Sequence, residues 1–268
     1  MLEIGRGAAI QSNLTPTEKP TEWSLNTIRD VSPPLQLNNW QIARLFATSP
    51  ARGFAQLKQS PRNALPFLLL LAGGVVVIQW YFNIVDFEWV KHRLTEMYAN
   101  KGGGHGAAGA QIVQFLSKGV LKWSTTITST LMTILILALE ALYLLVLGMA
   151  ARIRYSYGQW FAFVCWSATP LIIGFIPQLL MLGLGRTSQL DLIAVQPLTL
   201  NELFFHVTDA NPAYQFLTGV SLLTLAQVWL SIVGLRVWSG RSWAFCTVYM
   251  LVPFALYFAA LVLWGSLR

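Results

Sequence analysis

The chain has 268 residues, of which 55% are hydrophobic and 11% charged, with 11 Trp and 15 Phe. Soluble domains carry about 25% charged residues. This composition, with a mean hydropathy of +0.54, therefore excludes an ordinary soluble domain, a disordered tail protein and a nucleic-acid binder with a charged face. The net charge of +7 then marks loops that face an anionic leaflet, and the expected partner is a lipid bilayer, not nucleic acid.

Residues 1–34 are polar, Thr-rich and without periodicity, so a disordered tail is expected. They hold no apolar stretch of signal-peptide length, and the sequon Asn13-Leu14-Thr15 reads as a chance match. Residues 35–62 turn amphipathic, with Trp40, Ala43, Phe46, Phe54 and Leu57 on helical spacing. Ser49-Pro50 and Ser60-Pro61 each read as an N-cap followed by proline at the first helical position. Short helices on the cytoplasmic membrane surface follow from this pattern.

Residues 63–266 form the membrane domain. Crossing a hydrocarbon core of about 30 Å takes about 20 helical residues. Five stretches qualify: Ala64–Phe82, Ser124–Met149, Gln159–Leu184, Tyr214–Val237 and Trp243–Ser266. Aromatic residues mark their ends, among them Trp80, Trp123, Trp160, Tyr214, Trp243 and Trp264. The runs are continuous instead of alternating, which excludes a barrel. The fold class is all-α: a polytopic five-helix transmembrane bundle with short interfacial amphipathic helices.

Arg44, Arg52, Lys58 and Arg62 precede the first span, and the short loops carry Arg152 with Arg154 and Arg236 with Arg241. That pattern puts the amino terminus on the cytoplasmic side and the carboxyl terminus on the outer side. The outer loops are residues 83–123 and 185–213. In the first, Phe87, Val90, Leu94 and Met97 line one helical face and Ile112, Phe115, Leu116 and Trp123 another, separated by a flexible glycine link at 101–106. In the second, Thr199-Leu200-Asn201-Glu202 is a capping box. Leu200, Leu203, Phe204 and Val207 follow at i, i+3, i+4 and i+7, as in an outer interfacial helix. Asn211-Pro212 reads as the cap of the fourth span.

The catalytic inventory is thin. His92, His105 and His206 fall in loops without a second ligand at metal spacing, so no metal or cofactor is expected. No serine sits in a Gly-x-Ser-x-Gly turn, and the loop carboxylates read as solvated charges. Cys165 and Cys246 lie in apolar runs and read as unpaired thiols. No enzyme is indicated.

One residue departs from the pattern. Glu140 lies at the depth of the bilayer centre, where an acid is costly and faces the bundle interior, pairs or is neutral. At matching depth stand Gln227, Thr169 with Pro170, and Pro253. Gln227 and Thr169 could donate to Glu140, while Pro170 and Pro253 free the carbonyls of Trp166 and Tyr249. This polar layer is either a proton- or substrate-responsive site or a device that fixes helix register. Ala255 and Ala259 form a small-xxx-small pair in the fifth span, and Ser124, Thr128, Ser129 and Thr133 do so in the second. Such faces serve bundle packing or a partner.

Five spans behind a long amino-terminal segment resemble the Yip1 domain family, in its bacterial branch. The resemblance rests on Phe46 to Pro50, Phe54 and Pro61 before the first span, and on Tyr155–Gln159 running into Ser167–Pro170. Pro197–Phe204 and the Trp229–Trp238 helix with Gly234 complete it. It covers residues 35–266. The acidic motif that precedes the first span in eukaryotic members is absent, which argues against a small-GTPase role. The resemblance implies an integral membrane protein without known catalytic activity, some of its bacterial relatives standing as accessory subunits beside export machinery such as ABC-type transporters. The resulting expectation is a non-enzymatic accessory or scaffolding subunit that associates with another integral membrane protein or with itself, an ABC-type exporter being the partner class so implied. The alternatives are a small-solute or proton transporter or channel, in one form a dimer, using Glu140, and a membrane-shaping protein.

Overall fold

The structure, a computed structural model, describes residues 37–99, 109, 111–185, 187–190, 192, 195–208, 211 and 213–266. Beyond Ala255, it describes the side chain of Ala259 alone. The expected tail at 1–34 and the glycine link at 101–106 lie outside these residues. Leu37 and Asn38 belong to a unit of their own and lie outside regular secondary structure; residues 39–268 make a second, compact unit.

Two ten-residue helices open that unit, α1 (Asn39–Thr48) and α2 (Pro50–Gln59). Pro50 starts α2, its fixed φ suiting the first turn. Ser60 closes α2 instead of capping a new helix. The next helix, α3 (Ala64–Ile84), starts after Asn63. Ser60-Pro61 is thus a linker, where a start signal was expected. After α3 come α4 (Phe87–Ala99) and α5 (Lys118–Ala150), the latter opened by Ser117, whose hydroxyl accepts from Val120 N.

The third span is two helices, α6 (Tyr157–Ser167) and α7 (Thr169–Leu184), broken at Ala168. Pro170 has no N–H for the carbonyl four residues back, so the ladder stops there. The fourth span is broken as well, into α8 (Tyr214–Gly219) and α9 (Leu222–Ser239). Ser221 and Thr224 close a capping box on α9, and Gly240, at φ 67°, ends it in the left-handed region that suits glycine. The last helix is α10 (Trp243–Ser266). The break in the fourth span corrects the expectation of one helix from Tyr214, whereas the one-residue break at Ala168 leaves Tyr157–Leu184 long enough to cross a membrane, as expected.

The long helices run antiparallel in turn. One end of the bundle, the tail end, carries α1, α2 and the turns at 151–156 and 240–242; the other, the loop end, carries α4 and the described residues between α7 and α8. Four helices are long and apolar enough to cross a membrane: Ala64–Ile84, Lys118–Ala150, Tyr157–Leu184 and Leu222–Ser239. The apolar α10 adds a fifth, shorter as far as its described residues go. No strand occurs among the described residues. The chain is an all-α multi-pass membrane protein.

Helix α6 holds the tail-end core. Trp160, Phe163 and Trp166 are almost fully buried against α2, α5 and α9. Phe46 stacks on Trp166 with centroids 4.7 Å apart, and Phe54 lies 5.0 Å from Phe163. Trp238 Nε1 donates to the Phe54 carbonyl at 2.9 Å. Gly234 permits the approach, because a Cβ there would stand 2.6 Å from both Phe54 and Phe163. The apolar faces of α1 and α2 are therefore covered by protein, although Trp40 remains 69% exposed.

At the loop end, Val77, Tyr81 and Phe82 of α3 pack with Val90 of α4, Leu182 of α7 and Val195. Tyr81 Oη donates to the Leu190 carbonyl at 2.8 Å, tying the loop after α7 to α3.

Candidate functional site

Helices α5 and α9 carry the two polar side chains that the bundle brings together at mid-span. Gln227 Nε2 lies 3.5 Å from both Oε1 and Oε2 of Glu140. The carboxamide thus straddles the carboxyl group at the outer limit of hydrogen-bond length. Both residues are half-buried. Ser231 Oγ returns to the Gln227 carbonyl at 2.9 Å, which leaves the α9 backbone helical beside the pair.

The proline-freed carbonyls are satisfied by other donors. Thr169 Oγ1 donates to Trp166 O at 2.8 Å, so its hydroxyl closes the break in its own span. Thr169 and Pro170 line an apolar space at the tail end with Trp40, Phe46 and Leu65, away from Glu140. The Tyr249 carbonyl, freed by Pro253, accepts from Tyr143 Oη at 2.6 Å. Tyr143 stands one turn from Glu140 on α5, and no sequence argument had singled it out. Its signal was available: a hydroxyl-bearing ring at the depth of a carbonyl that Pro253 frees.

Glu140, Gln227, Tyr143 and Tyr249 therefore clasp α5, α9 and α10 together. Toward the loop end from this clasp, α5 and α9 flank a cavity of about 360 Å³, walled also by α3, α7, Leu192 and residues 195–199. Thr125, Ser129 and Thr133 face it from α5, and Ser221 and Thr224 from α9. Gln178 of α7, expected to need no special account, lines it too.

The break in the fourth span forms part of this cavity. Leu200 N donates to Val220 O at 2.8 Å and Leu222 N to Leu198 O at 3.0 Å, so the loop is stitched to the break. Non-helical backbone at membrane depth survives only where protein satisfies it. The expected interfacial helix over Leu200–Val207 is a single π-helical turn, Asn201–Phe205. His206, at φ 51°, ends it, and Asn201 exchanges two hydrogen bonds with Val207. Leu200, Leu203 and Val207 are half-buried while Phe204 is exposed. On α10, Ala255 and Ala259 are both exposed, whereas Pro253 is half-buried.

Among the described residues, no cluster of His, Cys, Asp and Glu could hold a metal ion. Cys165 and Cys246 are free and buried.

The sequence model of the Yip1 domain matches residues 43–264. The chain belongs to that family. The Yip1 domain here thus takes in all five apolar helices and begins within α1, so the tail-end helices packed under α6 and α9 are part of it. No curated protein and no solved structure matches the chain.

Proposed function

We propose that this Yip1 domain protein is a non-enzymatic accessory or scaffolding subunit that binds another integral membrane protein through lipid-embedded faces. One observation carries the reading. The small pair Ala255 and Ala259 is exposed on α10, whose one extended packing partner among the described residues is α9. Small residues let helix backbones approach closely in lipid, where apolar burial gives no driving force. A leucine facing lipid needs no partner, but an exposed small-xxx-small pair on a peripheral helix offers a docking groove. The family resemblance makes an ABC-type exporter in a bacterial inner membrane the first partner class to test. The orientation that goes with this reading has the tail end in the cytoplasm.

Copurification from native membranes in mild detergent tests the proposal. The expected result is a stoichiometric membrane partner, with retention reduced about tenfold by Ala255→Leu with Ala259→Leu, as suits loss of a close helix contact. A clean, partnerless particle counts against it.

A second reading is favoured by the cavity loop-ward of the Glu140–Gln227 pair. A transporter or channel for a small solute or proton would use Glu140 as its gate. Glu140→Gln then abolishes flux in proteoliposomes, whereas the scaffold reading has no flux to abolish. The membrane-shaping alternative draws less support, because Phe46, Phe54 and Leu57 are buried under α6 and α9 instead of being free to wedge a leaflet.

A further inference from the structure

The cavity between α5 and α9 has two properties that helix packing does not explain. The first concerns hydrogen bonding. The side chains of Thr125, Ser129 and Gln178 make no hydrogen bond to any described residue, although they line a space at membrane depth. Polar groups in that setting are costly unless something satisfies them.

The second concerns glycine. A Cβ on Gly73 would run into the ring of Phe175, so Gly73 is a packing glycine. A Cβ on Gly74, which lines the cavity, meets nothing within 4 Å; Gly219, on the opposite wall, is the same. Their lack of side chains keeps space open without letting another helix closer.

Among the described residues the lining contains hydroxyls, carboxamides and apolar side chains, and no Asp, Glu, Lys or Arg. An ionic ligand would be buried without a counter-charge, which is strongly unfavourable. At the start of α9, Leu222 N is taken by the Leu198 carbonyl and Thr224 N by the Ser221 hydroxyl, which reduces the pull of that helix end on an anion. What fits is a neutral group that both donates and accepts hydrogen bonds. The volume of about 360 Å³ suits a small headgroup and not a whole lipid.

We propose that this cavity binds an uncharged, hydroxyl- and ester-bearing headgroup of the glycerol type, held by Thr125, Ser129 and Gln178 against the open face of Gly74. The same chemistry is presented by a neutral lipid such as diacylglycerol and by a free polyol such as glycerol. The site stands apart from the Ala255–Ala259 face, so either assignment can fail alone.

The test uses the full chain in vesicles containing a diazirine-bearing diacylglycerol, with crosslinks mapped by mass spectrometry. Crosslinks concentrate on the cavity walls of α3, α5 and α9, and unlabelled diacylglycerol competes for them while phosphatidic acid, with the same tails and a charged head, does not. Gly74→Leu, whose Cβ meets nothing within 4 Å and whose branches extend into the space, lowers crosslinking about tenfold, the size expected for a lost headgroup contact. Gln178→Leu does so to a similar degree, which keeps the test decisive if the first variant does not fold. Ile127→Ala, on the exposed face of α5, changes nothing. Competition by free glycerol as effective as by diacylglycerol supports the site and makes its occupant a soluble polyol. Crosslinks spread evenly over all lipid-facing surfaces, equal competition by phosphatidic acid, or indifference to both variants overturns the proposal.

Discussion

Tyr143 and Pro253 form a pair whose energies can be separated. The proline removes a donor for the Tyr249 carbonyl, and the Tyr143 hydroxyl replaces it at 2.6 Å. Tyr143→Phe leaves that carbonyl unpaired in an apolar layer, at a cost of about 1–3 kcal/mol. Restoring the backbone donor with Pro253→Ala should make the same tyrosine change nearly neutral. A double-mutant cycle on thermal unfolding in detergent reads the coupling directly; additive losses would mean that the two do not act on one carbonyl. Gly234 sets a larger effect. A methyl group there meets two aromatic rings in a packed core, so Gly234→Ala costs about 1–3 kcal/mol by overpacking. The freed carbonyls were legible in the sequence. Which donor reaches which carbonyl was not, because that depends on how far each helix is rotated, and apolar spans of this kind carry almost no facial pattern to read. Gln227 reached Glu140; Thr169 turned back on its own helix.

Among the elements, the fourth span diverges most from the sequence-based expectation and the third less, for different reasons. In the third, Pro170 announced the break but hydropathy ran through it unchanged, so length alone joined α6 to α7. In the fourth, Gly219 and the capping pair Ser221 and Thr224 were local signals of a break, but the apolar run from Tyr214 outweighed them. The break is stabilised by residues 198–200, some twenty positions earlier, through two backbone hydrogen bonds. A long-range pairing of this kind leaves no local signal. Leu222→Pro isolates it: proline is well tolerated at the first position of a helix, yet it deletes the donor to Leu198 O. Helix content by circular dichroism should stay constant while amide exchange in residues 195–208 speeds up. Unchanged exchange would show that the stitch does not hold the loop. Helix α5 errs in the other direction. Its 33 residues extend about 50 Å against a core of about 30 Å, so its first turns, Lys118 to Trp123, belong to the region expected to be loop.

For the molecule as a whole, the tail-end helices change the kind of object this is. Amphipathic spacing of Phe46, Phe54 and Leu57 read as attachment to a lipid surface, but a helix face of that sort fits protein equally well, and the aromatic surface of α6 and α9 competes for it. Phe54 is fully buried, packed on Phe163 and held through its carbonyl by Trp238. Lys58 Nζ reaches the Trp238 carbonyl at 3.4 Å and stands 5.6 Å above the Tyr155 ring, adding a polar latch at the rim. Helix α2 is thus coupled to the fourth span, and the helix it holds, α9, also carries Gln227 and one wall of the cavity. Phe54→Ala removes the anchor and should cost about 3–5 kcal/mol. Two measurements distinguish undocking from global collapse. Limited proteolysis of the reconstituted protein should cut between α2 and α3, near Ser60, far faster than in the wild type. Labelling of a cysteine at Ser129, facing the cavity at the other end of the bundle, should keep its wild-type rate if the bundle survives and rise if the tail holds α9 in place. Proteolysis unchanged from wild type would mean that the hairpin is retained by α1 alone, through Ile42 and the Phe46–Trp166 stack.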